Sequence, residues 1–339
     1  MSRQWNILGY ACMALCVVST YAQPSALYPR ILGGENATEG QVPFYGDIYM
    51  KNGPGNICGG SLIADEWFLT TASCLTNHGE GSNSTAIPIP AAEMAVVLGN
   101  ANGKSPHNVD IAEVFHHEQY KVTGEMRIME NDIALVRLAE KVKLNDNINV
   151  VKIYSGKLQV NDSMMVAGKG IVDLQHLKIS HTLQVVTLAV TEPAACRKAF
   201  DSYGDANGPL VCLGAQDGRD ACPGDSGGPM YTVNANKQSA LVGMTSAGAT
   251  DEANAPACGG EGSVGIYTHI YHYIDWISEK TGIPKEQFLD NTQESGKTPT
   301  NMAEPSIESP QANDQTPTNS TAASIDSSPE RQANRTVNA

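Results

Sequence analysis

Basic residues are scarce in this 339-residue chain: 22 Lys and Arg stand against 36 Asp and Glu, a formal net charge of −14. That balance disfavours phosphate backbones and anionic headgroups, so neither nucleic acid nor membrane is expected as a partner. No apolar run reaches the ~20 residues that a membrane-spanning helix needs. The nearest candidate, Ile7 to Val18, follows Arg3 and precedes Thr20 and Ala22, small residues at cleavage-site spacing. Residues 1–22 therefore read as a secretory signal. The end of the chain, Asn334 to Ala339, lacks the apolar tail of a lipid-anchor signal. Ligand clusters at zinc spacing and acidic calcium loops are also missing, so no metal and no cofactor is expected.

What is present suits a secreted, turn-rich β protein. Hydrophobic residues make up 41% of the chain, enough for a core, and 32 glycines and 18 prolines supply turns. Of eight cysteines, Cys12 and Cys16 lie in the signal. The other six form an even set in an oxidising compartment, with 15 possible connectivities. Short apolar runs alternate with Gly, Asn and Pro turns at 44–50, 58–63, 67–71, 95–98 and 133–138. A second set follows at 163–167, 182–190, 241–245 and 265–268, and both read as antiparallel strands. Residues 269–279 carry Tyr271, Ile274 and Ile277 at helical spacing. From 283 to 339 the chain turns to Thr, Ser, Asn, Pro and Gln, with no aromatic after Phe288. Such a segment cannot bury enough apolar surface to offset its ordering entropy, and a disordered tail is expected. Glycosylation sequons stand at Asn36, Asn83, Asn161, Asn319 and Asn334.

The stretch from Gly218 to Pro229 organises the rest. It reads Gly-Arg-Asp-Ala-Cys-Pro-Gly-Asp-Ser-Gly-Gly-Pro, with Ser226 set among Gly224, Gly227 and Gly228. Those glycines let backbone amides crowd a hydroxyl, as an oxyanion hole requires. With this motif the chain resembles the chymotrypsin/trypsin family of serine proteases. The resemblance implies an all-β fold of two six-stranded antiparallel barrels with a C-terminal helix, spanning 31–282 and with its site in the cleft between the barrels. It implies Ser226 as nucleophile, Gly224 and Ser226 as oxyanion donors, and bridges Cys58–Cys74, Cys196–Cys212 and Cys222–Cys258. Ile31-Leu32-Gly33-Gly34 is similar to the family's activation terminus, making 23–30 a prosegment cut after Arg30. The freed amine of Ile31 would then pair with Asp225.

Asn131-Asp132-Ile133-Ala134-Leu135 resembles the family's Asp segment, which makes Asp132 the carboxylate that orients the general base. The base should come from Thr70-Thr71-Ala72-Ser73-Cys74, where family members carry histidine before the cysteine. This chain has Ser73. An imidazole has two nitrogens and a pKa near neutrality; a hydroxyl is a far weaker base and too short to link carboxylate and nucleophile. Ser73 remains able to hydrogen-bond Asp132, directly or through a water. In a related triad, losing the base costs about 10⁶ in turnover, roughly 8 kcal/mol. His78, His116 and His117 are the alternatives, but His78 falls in a Gly/Ser/Asn loop expected to point outward, and His116 and His117 resemble a surface segment of the family.

The pocket is better kept. Asp220 falls where family members carry the carboxylate that attracts Arg or Lys, and Ser246, Gly248 and Gly265 match its walls. Ala247 replaces a large aromatic there, and the 249–257 run is longer than usual, as is the separation of Ser73 from Asp132. Two readings follow. The first is a secreted, catalytically inactive homologue that binds an extracellular protein, a protease or a glycoside hydrolase, as inactive family members do. The second is an active endopeptidase cutting after Arg or Lys by an atypical or substrate-assisted route.

Overall fold

A computed structural model describes residues 31–290, apart from 54, 79–85, 100, 103–105, 124–127, 174–175, 177 and 250–257. The signal, the prosegment with Arg30, the sequons at Asn83, Asn319 and Asn334, and the tail from 291 lie outside the described residues.

The first barrel closes from six strands: β1 (Tyr45–Met50), β2 (Asn56–Ala64), β3 (Trp67–Thr70), β4 (Met94–Leu98), β5 (His107–His116) and β6 (Ala134–Leu138). The second uses β7 (Ser163–Gly168), β8 (Gln184–Val190), β9 (Leu210–Gly214), β10 (Pro229–Val233), β11 (Ser239–Ala249) and β12 (Val264–His269). Within each barrel the first strand pairs with the second and fourth, and the third with the sixth, so the two share one ring order. Closure removes the free edges that would otherwise pair with other chains.

β-Branched and aromatic residues fill each barrel, as a pleated, two-sided surface favours. Ile48, Leu62, Phe68, Met94, Val96 and Leu98 meet inside the first. Met164, Val166, Leu188, Val211, Met230 and Val242 meet inside the second. Between them runs a further apolar layer, where Phe44 meets Tyr231 edge-on at 5.4 Å. Fully burying side chains of this size contributes ~1.5–3 kcal/mol each, so the junction is a rigid floor for the cleft.

Strands β5, β9 and β10 escape an apolar-run search. In β5 exposed charges such as Asp110 and Glu113 alternate with buried Val109 and Ile111, so no apolar run exceeds two residues. The expected helix needs correction at its start. Residues Ile270–Tyr273 form a 3-10 turn before α-helix Ile274–Thr281, and its tighter winding shifts the phase. Ile270 and Tyr273 are buried with Ile274 and Ile277, whereas Tyr271 is exposed. Gly282 ends the helix at φ 69°, a left-handed cap that glycine adopts without steric cost.

The tail boundary also moves. Residues 283–290 pack on the body because Phe288 is buried, its carbonyl accepts from Ile153 N at 2.8 Å, and Asp290 binds Ser155. Buried Phe288, the Ile153–Leu289 bridge and the Asp290 contacts together hold a short segment that composition assigns to the tail. The three disulfides are Cys58–Cys74, Cys196–Cys212 and Cys222–Cys258. Of the sequons, Asn36 and Asn161 are exposed. No helix among the described residues is long and apolar enough to cross a membrane.

Candidate functional site

Asp132 enters the cleft just ahead of β6. Asn131 before it sits at φ 53°, a left-handed conformation that Asn tolerates, and turns the chain inward. Asp132 is fully buried. Its Oδ1 accepts the Ser73 amide at 2.7 Å, and its Oδ2 accepts the Ser73 hydroxyl at 3.0 Å and the Ser246 hydroxyl at 2.6 Å. Burial pushes its carboxyl up, and the hydrogen bonds from Ser246 and Ser73 pull it back. Ser73 opens the turn Ser73–Leu75, stapled to β2 by Cys58–Cys74.

Ser246 was legible only as a pocket residue, yet its hydroxyl is committed to Asp132. The register of β11 against β12 shifts between Thr245 and Ala247, so Ser246 sits on a bulge. A bulge re-aims one side chain, and no sequence spacing announces it.

Ser226 stands across the cleft in the loop before β10. Its carbonyl accepts from Gly59 N at 2.8 Å, which ties the loop to the first barrel. Gly224 has φ 98° and Gly227 φ 75°. A Cβ on Gly227 would lie 2.3 Å from the Gly59 carbonyl oxygen, so only glycine fits there. Neither the Gly224 nor the Ser226 amide donates to an acceptor among the described residues. Asp225 turns inward and takes the amides of Gly170 at 2.7 Å and Cys222 at 2.8 Å. Burial pushes its carboxyl up to about 6 against those amides, and the charge of Asp220 adds to the rise. Ile31 is fully buried in the second barrel's core, and Leu32 bridges to Asp220.

A cavity of about 160 Å³ separates Ser73 from Ser226. Ser246 and the Cys58–Cys74 bridge complete its floor, and Val122 and Met129 flank it. These last two are paired across the hairpin of Lys121–Thr123 with Ile128–Glu130, which sequence reading did not single out. Among the described residues no histidine lines the cavity. His116 Nε2 lies 3.2 Å from the Leu75 carbonyl, and burial lowers its pKa. His117 packs between Tyr273 and Trp276 at 5.4 and 5.3 Å. The side chain of His78 lies outside the described residues.

Asp220 sits elsewhere, beneath β12. Its Oδ2 accepts the Gly259 amide at 2.9 Å, while its Oδ1 is buried with no hydrogen-bond partner among the described residues. Burial pushes this carboxyl up, opposed first by the Gly259 amide. The Tyr267 hydroxyl is likewise buried and unpartnered, and Gly248 and Gly265 oppose one another across β11 and β12. Residues 250–257, the extended rim, lie outside the described residues.

A fourth buried carboxylate carries no motif in the sequence. Asp47 on β1 pairs with Lys169, just after β7, at 2.7 Å, both almost wholly buried. Tyr45 and Asn56 also donate to Asp47, at 2.9 and 3.0 Å. The pair crosses from one barrel to the other beside Gly170, whose amide holds Asp225. A lysine set between two glycines after an apolar strand was the available signal. Among the described residues no cluster of three or more His, Cys, Asp or Glu could hold a metal ion.

Two closed barrels joined by an apolar floor, with an inward Asp and a glycine-cradled Ser facing each other across the cleft, define the serine-protease double-barrel class. The model of the family described as Trypsin matches residues 31–277, and the chain belongs to that family. Mannan-binding lectin serine protease 1 of Homo sapiens is 29% identical over 282 residues, 80% of this chain but 38% of that protein. Phenoloxidase-activating factor 3 of Holotrichia diomphalia is 29% identical, covering 75% of this chain and 73% of its own length. Proclotting enzyme of Tachypleus tridentatus is 30% identical, with 74% and 66% covered. The chain thus spans 38% of the first of these relatives and about two thirds or more of the other two.

Proposed function

We propose that this chain is a secreted, glycosylated, trypsin-like binding protein that does not hydrolyse peptides. The observation that carries this reading is the cavity at the corner, where Ser73 meets Asp132 and no imidazole among the described residues stands beside Ser226. Hydroxyls at neutral pH do not accept the Ser226 proton, and the one carboxylate nearby is sealed by donors from Ser73 and Ser246. The amides of Gly224 and Ser226 alone would leave ~10³–10⁴ over water, too slow for a useful protease.

Binding is supported by Asp220. A buried carboxylate oxygen without a partner is costly, and a cation satisfies it. An Arg or Lys side chain of a partner protein, entering past Gly248 and Gly265, is the ligand that suits this pocket. The names of two relatives, a phenoloxidase-activating factor and a proclotting enzyme, support a proenzyme or its activator as partner over a glycoside hydrolase. Cleavage after Arg30 followed by assay with a chromogenic arginine amide tests the reading. No turnover above the solvent rate is expected, and turnover at an ordinary protease rate would end it. Calorimetry with benzamidine should show binding that disappears in Asp220→Ala.

A further inference from the structure

We propose that the cavity between Ser73 and Ser226 is a binding site for an imidazole ring, brought by a histidine side chain of a bound polypeptide or by the free heterocycle. The inference rests on the reading above, that the chain holds no base of its own at this corner. Size is the first argument. A void of roughly 150 Å³ admits benzene, so a cavity of about 160 Å³ admits a five-membered ring.

The walls are the second. Ser73 and Ser246 both direct their hydroxyl protons at Asp132 Oδ2, and Ser73 Oγ also lies 3.1 Å from Thr71 Oγ1. A hydroxyl oxygen has two lone pairs, so each still has one to offer the cavity. On the facing wall the Ser226 hydroxyl has no partner among the described residues and is free to donate. The disulfide, Val122 and Met129 supply apolar surface. The complementary ligand is a flat ring with one N–H on one edge and one lone pair on the other. Neutral imidazole has that inventory. Ammonium and guanidinium groups bring donors only and leave the Ser226 proton without an acceptor. A carboxylate would face the oxygens of Ser73 and Ser246 and the charge of Asp132.

Occupancy would give Ser226 the base it lacks. The ring N–H donates to Ser73 Oγ, whose own O–H keeps donating to Asp132 Oδ2, and the other ring nitrogen accepts from Ser226. When Ser226 Oγ bonds to an ester or amide carbonyl carbon, its proton passes to that nitrogen, and the displaced π pair rests on the oxygen near the Gly224 and Ser226 amides. The pair returns as the bond to the leaving group breaks, and the imidazolium protonates that group. A water then repeats the sequence, releasing the acid and restoring Ser226 and the neutral ring.

The test uses the full chain cleaved after Arg30, titrated with imidazole by calorimetry and followed with a chromogenic arginine ester. Saturable binding is expected, with hydrolysis rising at least tenfold along the same curve. Ser226→Ala should bind without hydrolysis, and Ser73→His should bind none because its own ring fills the space. Absent binding, or an acceleration that rises linearly without saturating, overturns the proposal. Ordinary turnover without imidazole overturns instead the reading beneath it. Arginine peptides with one histidine at each flanking position, beside alanine twins, separate the sources. Cleavage of one histidine peptide without free imidazole assigns the side chain; activation by free imidazole alone assigns the free ring.

Discussion

Asp132 at the corner and Asp220 in the second barrel are almost equally buried, at 0% and 2% exposure. Three donors from Ser73 and Ser246 close on the first, whereas one oxygen of the second meets nothing among the described residues. A buried carboxylate must be hydrogen-bonded, paired or protonated, and each unmade bond costs about 1–3 kcal/mol. The Asp132 carboxylate is therefore answered by hydroxyls and an amide of the chain itself, whereas Asp220 keeps one buried oxygen without a hydrogen-bond partner among the described residues. Asp47, answered by Lys169, supplies a third case in which the cation belongs to the chain itself.

The sharpest way to break this contrast is to reopen the corner. Ser73→His, cleaved after Arg30, should hydrolyse an arginine amide at least ~10³-fold faster than the unaltered chain, given a loss of about 10⁶ when a related triad lacks its base. No gain would mean that the corner is dismantled beyond one residue. Next in size is the inter-barrel pair. Lys169→Met should cost about 3–5 kcal/mol by denaturant unfolding, because Asp47 is left buried and uncompensated, and Asp47→Leu in the same chain should recover most of it. Recovery of nothing would show that the barrels depend on the ion pair itself.

The two contrasted carboxylates should respond in opposite directions. Asp132→Ala strands buried donors and should cost ~2–4 kcal/mol. Asp220→Asn removes a buried, half-satisfied charge and should be neutral or mildly stabilising, while weakening benzamidine about 100-fold or more. Equal destabilisation by both would erase the distinction.

The smallest effect concerns Asp225, pushed up to about 6 chiefly by burial. An unfolded Asp titrates near 3.9. Between about pH 4 and 6 the folded chain holds the extra proton, so stability falls as pH rises through that window, by up to about 3 kcal/mol. Cleavage after Arg30 would free an amine on Ile31 to pair with Asp225 and flatten that fall. Unfolding curves at several pH values for intact and cleaved chain check this, and identical slopes would remove Ile31 as the partner of Asp225.

Legibility followed the range of the interactions. Apolar runs exposed most strands, and the motifs around Ser226, Asp132 and Asp220 stood out because their glycines and cysteines are local necessities. Strand β5 stayed hidden because its charged exposed positions interrupt the apolar signal. Phe288 orders 283–290 through contacts with a segment more than a hundred residues earlier, which composition cannot register. The second role of Ser246 depended on a bulge, and Lys169 became meaningful only opposite Asp47.

From the residue string alone came the all-β class, the candidate serine and its glycines, and the absence of histidine ahead of Cys74. These depend on residue type and near neighbours. Tertiary structure alone decided that Ser246 and Ser73 share Asp132, that a ring-sized space remains before Ser226, and that one oxygen of Asp220 lacks a partner among the described residues. Each is a matter of a few ångströms between segments far apart in sequence, Asp132 and Ser246 by 114 residues, and only the closing of two barrels against each other sets such distances.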